Sequence, residues 1–385
     1  MKHLFTIIAI IALSNPVFSQ TDSIKTKPKN SFIAFKNDSS VLFQSKKTLS
    51  EELNVEPKLM IDAYLSTYYA SYTEDNTSEF VKYPTMAPRN NQFGLNMAMI
   101  SLSYKSKKIR SIITLHYGDI AVSAWPIKYN LIQEANAGVE LVKNLWFDAG
   151  IFRSHIGVES TQPRENITSS MSLANVFEPY YFTGAKLTYL IGSKFSVQLN
   201  AFNSFNSIVE TNKNKLIGAS LVYAPNKNVS ITYNFITGDD TPDGVALKHQ
   251  RYYHNLFLTY QKNKISLGAE VNYGIQEYSK QVAVNLVGTA YMNSSLVVLK
   301  HQTFAKLAVY GRGEWFSDKD EILSAGIGMG NYTWGATGGI EYKPLKNIAI
   351  SLEARQLNSD KSNVMYNGKL SHQRLEGIFC MDVWF

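Results

Sequence analysis

From Pro57 onward the chain alternates apolar and polar residues with a period of two, in short pieces that never merge into one long apolar run. Ile348, Ile350, Leu352 and Ala354 fall on one face of an extended segment, with Ala349, Ser351, Glu353 and Arg355 on the other. Successive side chains of a strand point to opposite sides of the sheet, so this segment has one greasy and one polar face. The same alternation runs through Val229 to Ile236, Ile265 to Tyr273 and Leu307 to Trp315. A soluble sandwich carries this pattern too, so alternation predicts strands without choosing the architecture.

The connections choose it. Candidate strands fall at 58–72, 92–104, 109–121, 135–142, 145–157, 181–191, 195–205, 214–224, 229–237, 251–261, 265–275, 285–298, 303–316, 332–343, 347–357 and 372–385, an even number. Short links built of turn residues or lysine join some of them: Ser106-Lys107-Lys108, Lys143-Asn144, Gly192-Ser193-Lys194, Pro225 to Asn228, Lys262-Asn263-Lys264 and Pro344-Leu345-Lys346. Long links take the intervening places: Thr73 to Asn91, Val158 to Tyr180, Gly238 to Gln250, Ser317 to Asn331 and Asn358 to Ser371. Tight turns on one rim and long loops on the other are the pattern of a transmembrane antiparallel up-and-down β-barrel, with periplasmic turns and extracellular loops. A sandwich has no reason to sort its connections in this way.

Composition removes the alternatives. Charged residues make up 18% of the 385, while 45% are hydrophobic and 12% aromatic, which excludes a disordered chain. The longest apolar run, Leu4 to Leu13, falls short of the roughly 20 residues a spanning helix needs. Cys380 stands alone, so there is no disulfide framework, and the side chain reads as a small packed group. Lys2 and His3, the apolar stretch and Asn15-Pro16-Val17-Phe18-Ser19 form a secretory signal over residues 1–19, cut after Ser19. Residues 20–57, rich in Lys, Ser, Asn and Thr, read as a polar periplasmic leader, and residues 58–385 as the barrel. The formal net charge of +7 does not point to nucleic acid, because the lysines sit singly in the short turns, facing anionic lipid headgroups.

Tyrosine and phenylalanine gather near strand ends, at Tyr68, Tyr69 and Tyr72, at Tyr180-Tyr181-Phe182 and at Tyr252-Tyr253. They are expected to form interfacial girdles. The final strand sets Leu375, Gly377, Phe379, Met381, Val383 and Phe385 in one phase. Alternating apolar positions ending on Phe385 resemble the signal that barrel-assembly machinery reads in outer-membrane proteins.

Further motifs are similar to one family. Asp148-Ala149-Gly150-Ile151-Phe152, Ser154-His155-Ile156-Gly157-Val158-Glu159-Ser160, Glu165-Asn166-Ile167-Thr168 and Pro179-Tyr180-Tyr181-Phe182-Thr183-Gly184 resemble the OmpL-like β-barrel porin family, β-barrel porin type 2. Asn91, Phe93, Leu95 and Asn96 are similar to that family's second strand, and Arg312-Gly313-Glu314-Trp315-Phe316 to a late one. The resemblance covers the chain from about residue 58 to the end and implies an outer-membrane channel, its substrate usually unassigned.

A barrel of this size leaves an aqueous lumen for passive diffusion of small polar solutes or ions, with selectivity set by the charges that line it. Strand phase nominates Asp62, Asp148, Lys186, Glu270, Arg312, Glu314, Glu341, Glu353, Arg355, Glu376 and Asp382 as lumen residues. Both signs occur, which predicts weak ion preference. The connection from Val158 to Tyr180, carrying Glu159, Arg164 and Glu165, is the candidate for folding into the pore. Outer-membrane lipid, small polar solutes and the assembly machinery are the expected partners, and the size fits a homotrimer.

Signs of other chemistry are absent from the sequence. His249 and His254 lack a carboxylate to complete a zinc set, so no metal is expected. Gly326 to Gly330 lacks the context of a phosphate loop, and Asp239 to Gly244 lacks the final glutamate of a calcium loop, so no cofactor is expected. An outer-membrane lipase-like enzyme needs a serine and histidine grouped on neighbouring strands, which the seven histidines do not supply. A structural or adhesion barrel needs a sealed lumen, whereas the inward phases carry Ser, Thr, Asn, Gly and charges. A plugged transporter needs about 22 strands, more than this chain holds.

Overall fold

The computed structural model describes residues 57–75, 78–83, 86–210, 212–283, 286–324 and 330–385. The signal at 1–19, the leader up to residue 56 and residues 326–329 of the glycine run lie outside the described residues. The strands are β1 (Lys58–Tyr72), β2 (Gln92–Lys105), β3 (Ile109–Tyr117), β4 (Ile132–Val142), β5 (Leu145–Arg153), β6 (Tyr181–Ile191), β7 (Phe195–Phe202), β8 (Leu216–Asn226) and β9 (Val229–Asp239). They continue with β10 (Gln250–Lys262), β11 (Ile265–Ala283), β12 (Leu286–Gln302), β13 (Leu307–Ser317), β14 (Thr333–Tyr342), β15 (Ile348–Ser359), β16 (Val364–Tyr366), β17 (Lys369–Ser371) and β18 (Gln373–Trp384). Two short helices, α1 (Asp119–Ala124) and α2 (Leu173–Phe177), lie in connections.

Strands β1 to β15 and β18 close into one antiparallel barrel of sixteen, and β16 and β17 form a separate two-stranded hairpin in the last long connection. Closure runs through β1 and β18, from Tyr64 opposite Trp384 to Tyr72 opposite Glu376. Every barrel strand then has a partner on both sides, which a hydrocarbon surrounding demands, because an unpaired backbone group there costs several kcal/mol. With an even strand number the chain enters and leaves at one rim, where the Ala63 N–H donates to the Phe385 carbonyl at 2.9 Å.

The alternation of connection lengths holds. Residues 106–108, 143–144, 192–194, 227–228, 263–264, 303–306 and 343–347 turn tightly at the rim that carries both ends. Asn144 and Asn263 adopt φ of 67° and 54°, the left-handed region that asparagine tolerates in such turns. The opposite rim carries the described residues of the connections 73–91, 118–131, 154–180, 203–215, 240–249, 318–332 and 360–372, and there β11 and β12 instead prolong themselves to 19 and 17 residues.

Some strand ends differ from the sequence expectation. β3 stops at Tyr117 rather than 121, and α1 begins two residues on, after Gly118 at φ +133°, where an added Cβ would stand 2.6 Å from the Asn96 carbonyl oxygen. β5 stops at Arg153 rather than 157, where the chain leaves the wall and turns inward. β13 begins at Leu307 rather than 303, after a turn closed by Phe304 and Leu307.

Alternation places one phase outside and the other inside. On β15, Leu352 is 56% exposed while its neighbour Glu353 is 2% exposed. Ile113, Leu199, Val271 and Val297 are exposed in the same way on other strands, a continuous apolar outer face that calls for an apolar surrounding. The aromatic expectation is corrected in part. Tyr68, Tyr72, Tyr180, Tyr181, Phe182 and Tyr253 are buried rather than girdling the outside. Parity along the strand, not nearness to its end, decides the side. The outer face instead carries Tyr117, Tyr189, Tyr233, Tyr273, Trp315 and Trp334. Phe152, Ile156, Leu173, Phe202, Met292 and Phe316 belong to an apolar cluster inside the barrel, built from strands and from the 154–180 connection together.

Candidate functional site

Residues 154–180 run inside the barrel and are held by inward side chains from many strands. Gly157, at φ +84°, donates its N–H to Oδ1 of Asn255 on β10 at 3.3 Å. A Cβ there would meet Oε2 of Glu178 at 2.2 Å, so the close approach of the two arms of the connection requires glycine. The Val158 N–H donates to Glu270 of β11 at 2.6 Å. Ser169 and Ser170 donate their N–H groups to the two oxygens of Glu353 on β15, at 2.6 and 3.0 Å. Leu173, the first residue of α2, donates to Glu314 of β13 at 2.7 Å, and Ser172 caps that helix by accepting from the Asn175 N–H. Wall carboxylates thus satisfy backbone donors that an irregular buried segment would otherwise leave unpaired.

At the far side, Arg164 pairs with Asp62 of β1, lies 5.0 Å from the Tyr64 ring centroid, and donates its N–H to the Tyr64 hydroxyl at 3.0 Å. Gln162 donates to Gln133 of β4 at 2.8 Å. The connection therefore reaches across the interior, from β10, β11, β13 and β15 to β1 and β4.

The eleven lumen candidates all point inward, and nine are buried, with Asp62 and Glu341 partly exposed. They do not stand singly along the wall. Arg312 pairs with Glu159 at 2.7 Å and Glu314 at 3.3 Å; Arg355 pairs with Glu314 at 2.8 Å and Glu376 at 3.3 Å. Arg374 continues the series to Glu376 at 2.7 Å and to Glu74 of the first long connection at 2.8 Å. Charges of alternating sign are compensated by direct contact, which is what permits their burial.

Other candidates form separate groups. Asp148 accepts from Arg110 of β3 at 2.6 and 2.5 Å, and Arg110 lies over Trp146 at 4.5 Å. Lys186, opposite Asp148 in the register, places Nζ 4.0 Å from the Phe152 ring centroid. Glu341 pairs with Lys300 at 2.5 Å and Lys343 at 3.2 Å, and Asp382 accepts from the Tyr64 hydroxyl at 2.6 Å. Within the connection Glu165 pairs with Arg153 at 2.9 Å. Phe385, just past the end of β18, is 77% exposed.

Sequence reasoning missed Arg374, Arg110, Asn255 and Glu178. Arg374 shares the phase of Glu376 and Asp382 and was within reach of that rule. Glu178 accepts from Asn272 at 2.7 Å, a contact between an irregular segment and a strand that no local pattern encodes.

The long connections at the same rim lock to one another. Asp75 accepts from the N–H groups of Asn367 and Gly368 in the hairpin at 2.8 and 3.0 Å, and Lys82 donates to the Asn363 carbonyl at 2.5 Å. Burial pushes the Lys82 ammonium below the usual lysine range, against the pull of Glu74, and raises the Tyr83 hydroxyl to about 12. Asp360 ties 318–332 to 360–372 by accepting from the Asn331 and Tyr332 N–H groups and the Asn331 amide. Burial opposes its ionisation, but those hydrogen bonds together hold its carboxyl below the usual range.

His254 bonds to the Tyr233 hydroxyl at 2.8 Å and His249 lies beside Ser279 at 3.1 Å, and among the described residues no group of His, Cys, Asp or Glu is placed to hold a metal ion.

Comparison with known proteins adds three structures and one family. An anion-selective porin from Comamonas acidovorans superposes with a TM-score of 0.58 at 11% identity, over 86% of this chain and 100% of that one. OmpT of Vibrio cholerae, folded in vitro and in a trimer form, gives 0.54 at 10%, over 86% and 100%. OmpF of Salmonella typhi in complex with daunomycin gives 0.55 at 12%, over 87% and 99%. Identities this low carry the fold alone. No curated protein matches the sequence. The family described as "Putative beta-barrel porin-2, OmpL-like" matches residues 58–382, the whole barrel but for the last two residues of β18. A closed sixteen-stranded barrel with an apolar outer face, matched along almost its full length, belongs to the OmpL-like beta-barrel porin-2 family of outer-membrane porins.

Proposed function

We propose that the barrel lets small polar solutes or ions cross the outer membrane by passive diffusion, with residues 154–180 forming its constriction. The observation that carries this reading is the path of that connection, hydrogen-bonded to inward side chains of β10, β11, β13 and β15 on one side and of β1 and β4 on the other. Glu159, Arg164 and Glu165 bring charge of both signs into the interior, beside Asp62, Arg312 and Arg153. Mixed charge favours dipolar solutes over strong ion selection. The mechanism needs no chemical step, so the protein acts as a channel and not as an enzyme. Residues 1–19 serve export and 20–57 remain as a periplasmic leader. Phe385 presents the assembly signal, and the protomers form a trimer, as one Vibrio cholerae relative does.

Liposome swelling tests the constriction. Deleting residues 160 to 176 is expected to speed entry of sugars that the intact protein excludes. Unchanged rates with a correctly folded barrel would count against it.

A further inference from the structure

The wall carboxylates that grip the 154–180 connection are not equivalent. Glu314 takes the Leu173 N–H through one oxygen and shares its charge with Arg312 and Arg355. Glu270 takes the Val158 N–H through one oxygen and gives the other to the Asn255 and Asn272 amides. Glu353 makes no such ion pair among the described residues, although it is 2% exposed. Its two oxygens are instead taken by two consecutive backbone donors, Ser169 N–H at Oε2 and Ser170 N–H at Oε1. Nearby, the Ser169 hydroxyl lies 2.6 Å from that of Ser351 and 3.3 Å from that of Tyr310, so this turn of the connection is seated on β13 and β15 together.

An ionised carboxylate accepts strongly at both oxygens, and hydrogen bonds to the charged form are about twice as strong as those to the neutral one. Protonation leaves one oxygen a hydroxyl, a poor acceptor that also donates, so the buried N–H it meets keeps at best a weak partner. Glutamine has the same shape and the same fault, because its amide nitrogen can only donate.

We propose that Glu353 is the positioning residue of the constriction, and that its proton controls whether the segment around Ser169 and Ser170 stays seated on the wall. The inference rests on the reading of 154–180 as the constriction. It adds a specific acceptor and a direction: acid loosens the segment and neutral pH seats it. The charged and titratable groups facing Glu353 are Tyr310 and Arg312 on β13, Arg355 on its own strand, Cys380 on β18 and, through Arg312, Glu159 of the connection. Its register partners, Gly339 on β14 and Ile378 on β18, do not titrate. Arg312 and Arg355 remain cationic throughout and are held by Glu159, Glu314 and Glu376, so Glu353 is the member of the group whose grip on the segment has no ion pair to keep its carboxylate charged.

The test compares the folded full-length protein with its Glu353→Gln variant in detergent micelles, by hydrogen-exchange mass spectrometry over residues 165–173 and by planar-bilayer conductance. In the unsubstituted protein, exchange at Ser169 and Ser170, corrected for intrinsic rate, is expected to rise about tenfold or more between about pH 7 and about pH 4. Glu353→Gln is expected to show the faster exchange already at neutral pH with no further response to acid, while amides of β6 stay protected in both. Its conductance at neutral pH should match the acid conductance of the unsubstituted protein. Exchange at Ser169 and Ser170 that ignores pH, or a variant indistinguishable from its parent, overturns the proposal. Should the variant fail to assemble, the acid titration of the unsubstituted protein decides alone. Exchange that responds as expected in a barrel that never conducts supports the role of Glu353 and contradicts the channel reading instead.

Discussion

Arg312 on β13 donates from Nη1 to Oε1 of Glu159 at 2.7 Å, joining the wall to a residue 153 positions away in sequence. The same nitrogen reaches the Thr168 hydroxyl and the Ser170 carbonyl, each at 2.7 Å, so one guanidinium ties both arms of the inserted connection. It is buried, and so are the carboxylates it compensates. Replacing Arg312 with methionine leaves Glu159 without that partner in a medium that does not solvate it. The expected cost is about 3–5 kcal/mol of unfolding free energy, measurable by urea titration in micelles. A variant as stable as its parent would show that the pair is not held as described.

The outer face makes a different demand. Leu352 is exposed in the middle of β15 and faces lipid. Leu352→Arg is expected to destabilise the barrel folded into lipid vesicles by about 2–4 kcal/mol. Equal folding of the variant would place this side away from the hydrocarbon.

Acid should loosen the long-loop rim through Asp360. Its folded carboxyl titrates below the value of the unfolded chain, so its contribution to stability is complete above the unfolded value and is lost as pH falls through the folded one. Amide exchange at Asn331 and Tyr332 is therefore expected to stay slow at neutral pH and to quicken in strong acid, and Asp360→Ala should show the quick exchange at neutral pH. Slow exchange in that variant would remove Asp360 from the role.

Phe385 separates assembly from stability. Its backbone pairs with Ala63 in both directions while its ring is exposed, so Phe385→Ala keeps the main-chain bonds. The variant is expected to reach the outer membrane in lower yield in cells, read as the heat-modifiable band, yet to refold in detergent with an unchanged midpoint. Equal yield in cells would dismiss Phe385 as an assembly signal.

Strands were legible because parity is local. The run from Ile348 to Arg355 declares both its faces without reference to any other residue, and the same rule would have found Arg374 had it been carried back two positions from Glu376. Loop positions were legible as gaps between such runs. What each loop touches was not. Nothing near Ser169 in the sequence points to Glu353, 184 positions on, because that contact exists only once the barrel has closed and the connection has folded inward. Aromatic placement failed for a related reason. Tyr68 and Tyr69 are neighbours near one strand end, yet Tyr68 turns inward to bond Asp119 at 2.5 Å while Tyr69 packs outside against Phe93 at 5.0 Å. Helix α1 was missed because Asp119 to Ala124 is a six-residue turn that the largely apolar stretch from Ile112 to Val122 does not set apart from the strand.

The channel reading is most directly tested by planar-bilayer recording of the purified, folded protein. Stable ohmic current steps are expected, and they should grow on deleting residues 160 to 176. A folded barrel that inserts into the bilayer and passes no current, with or without that segment, would contradict the account.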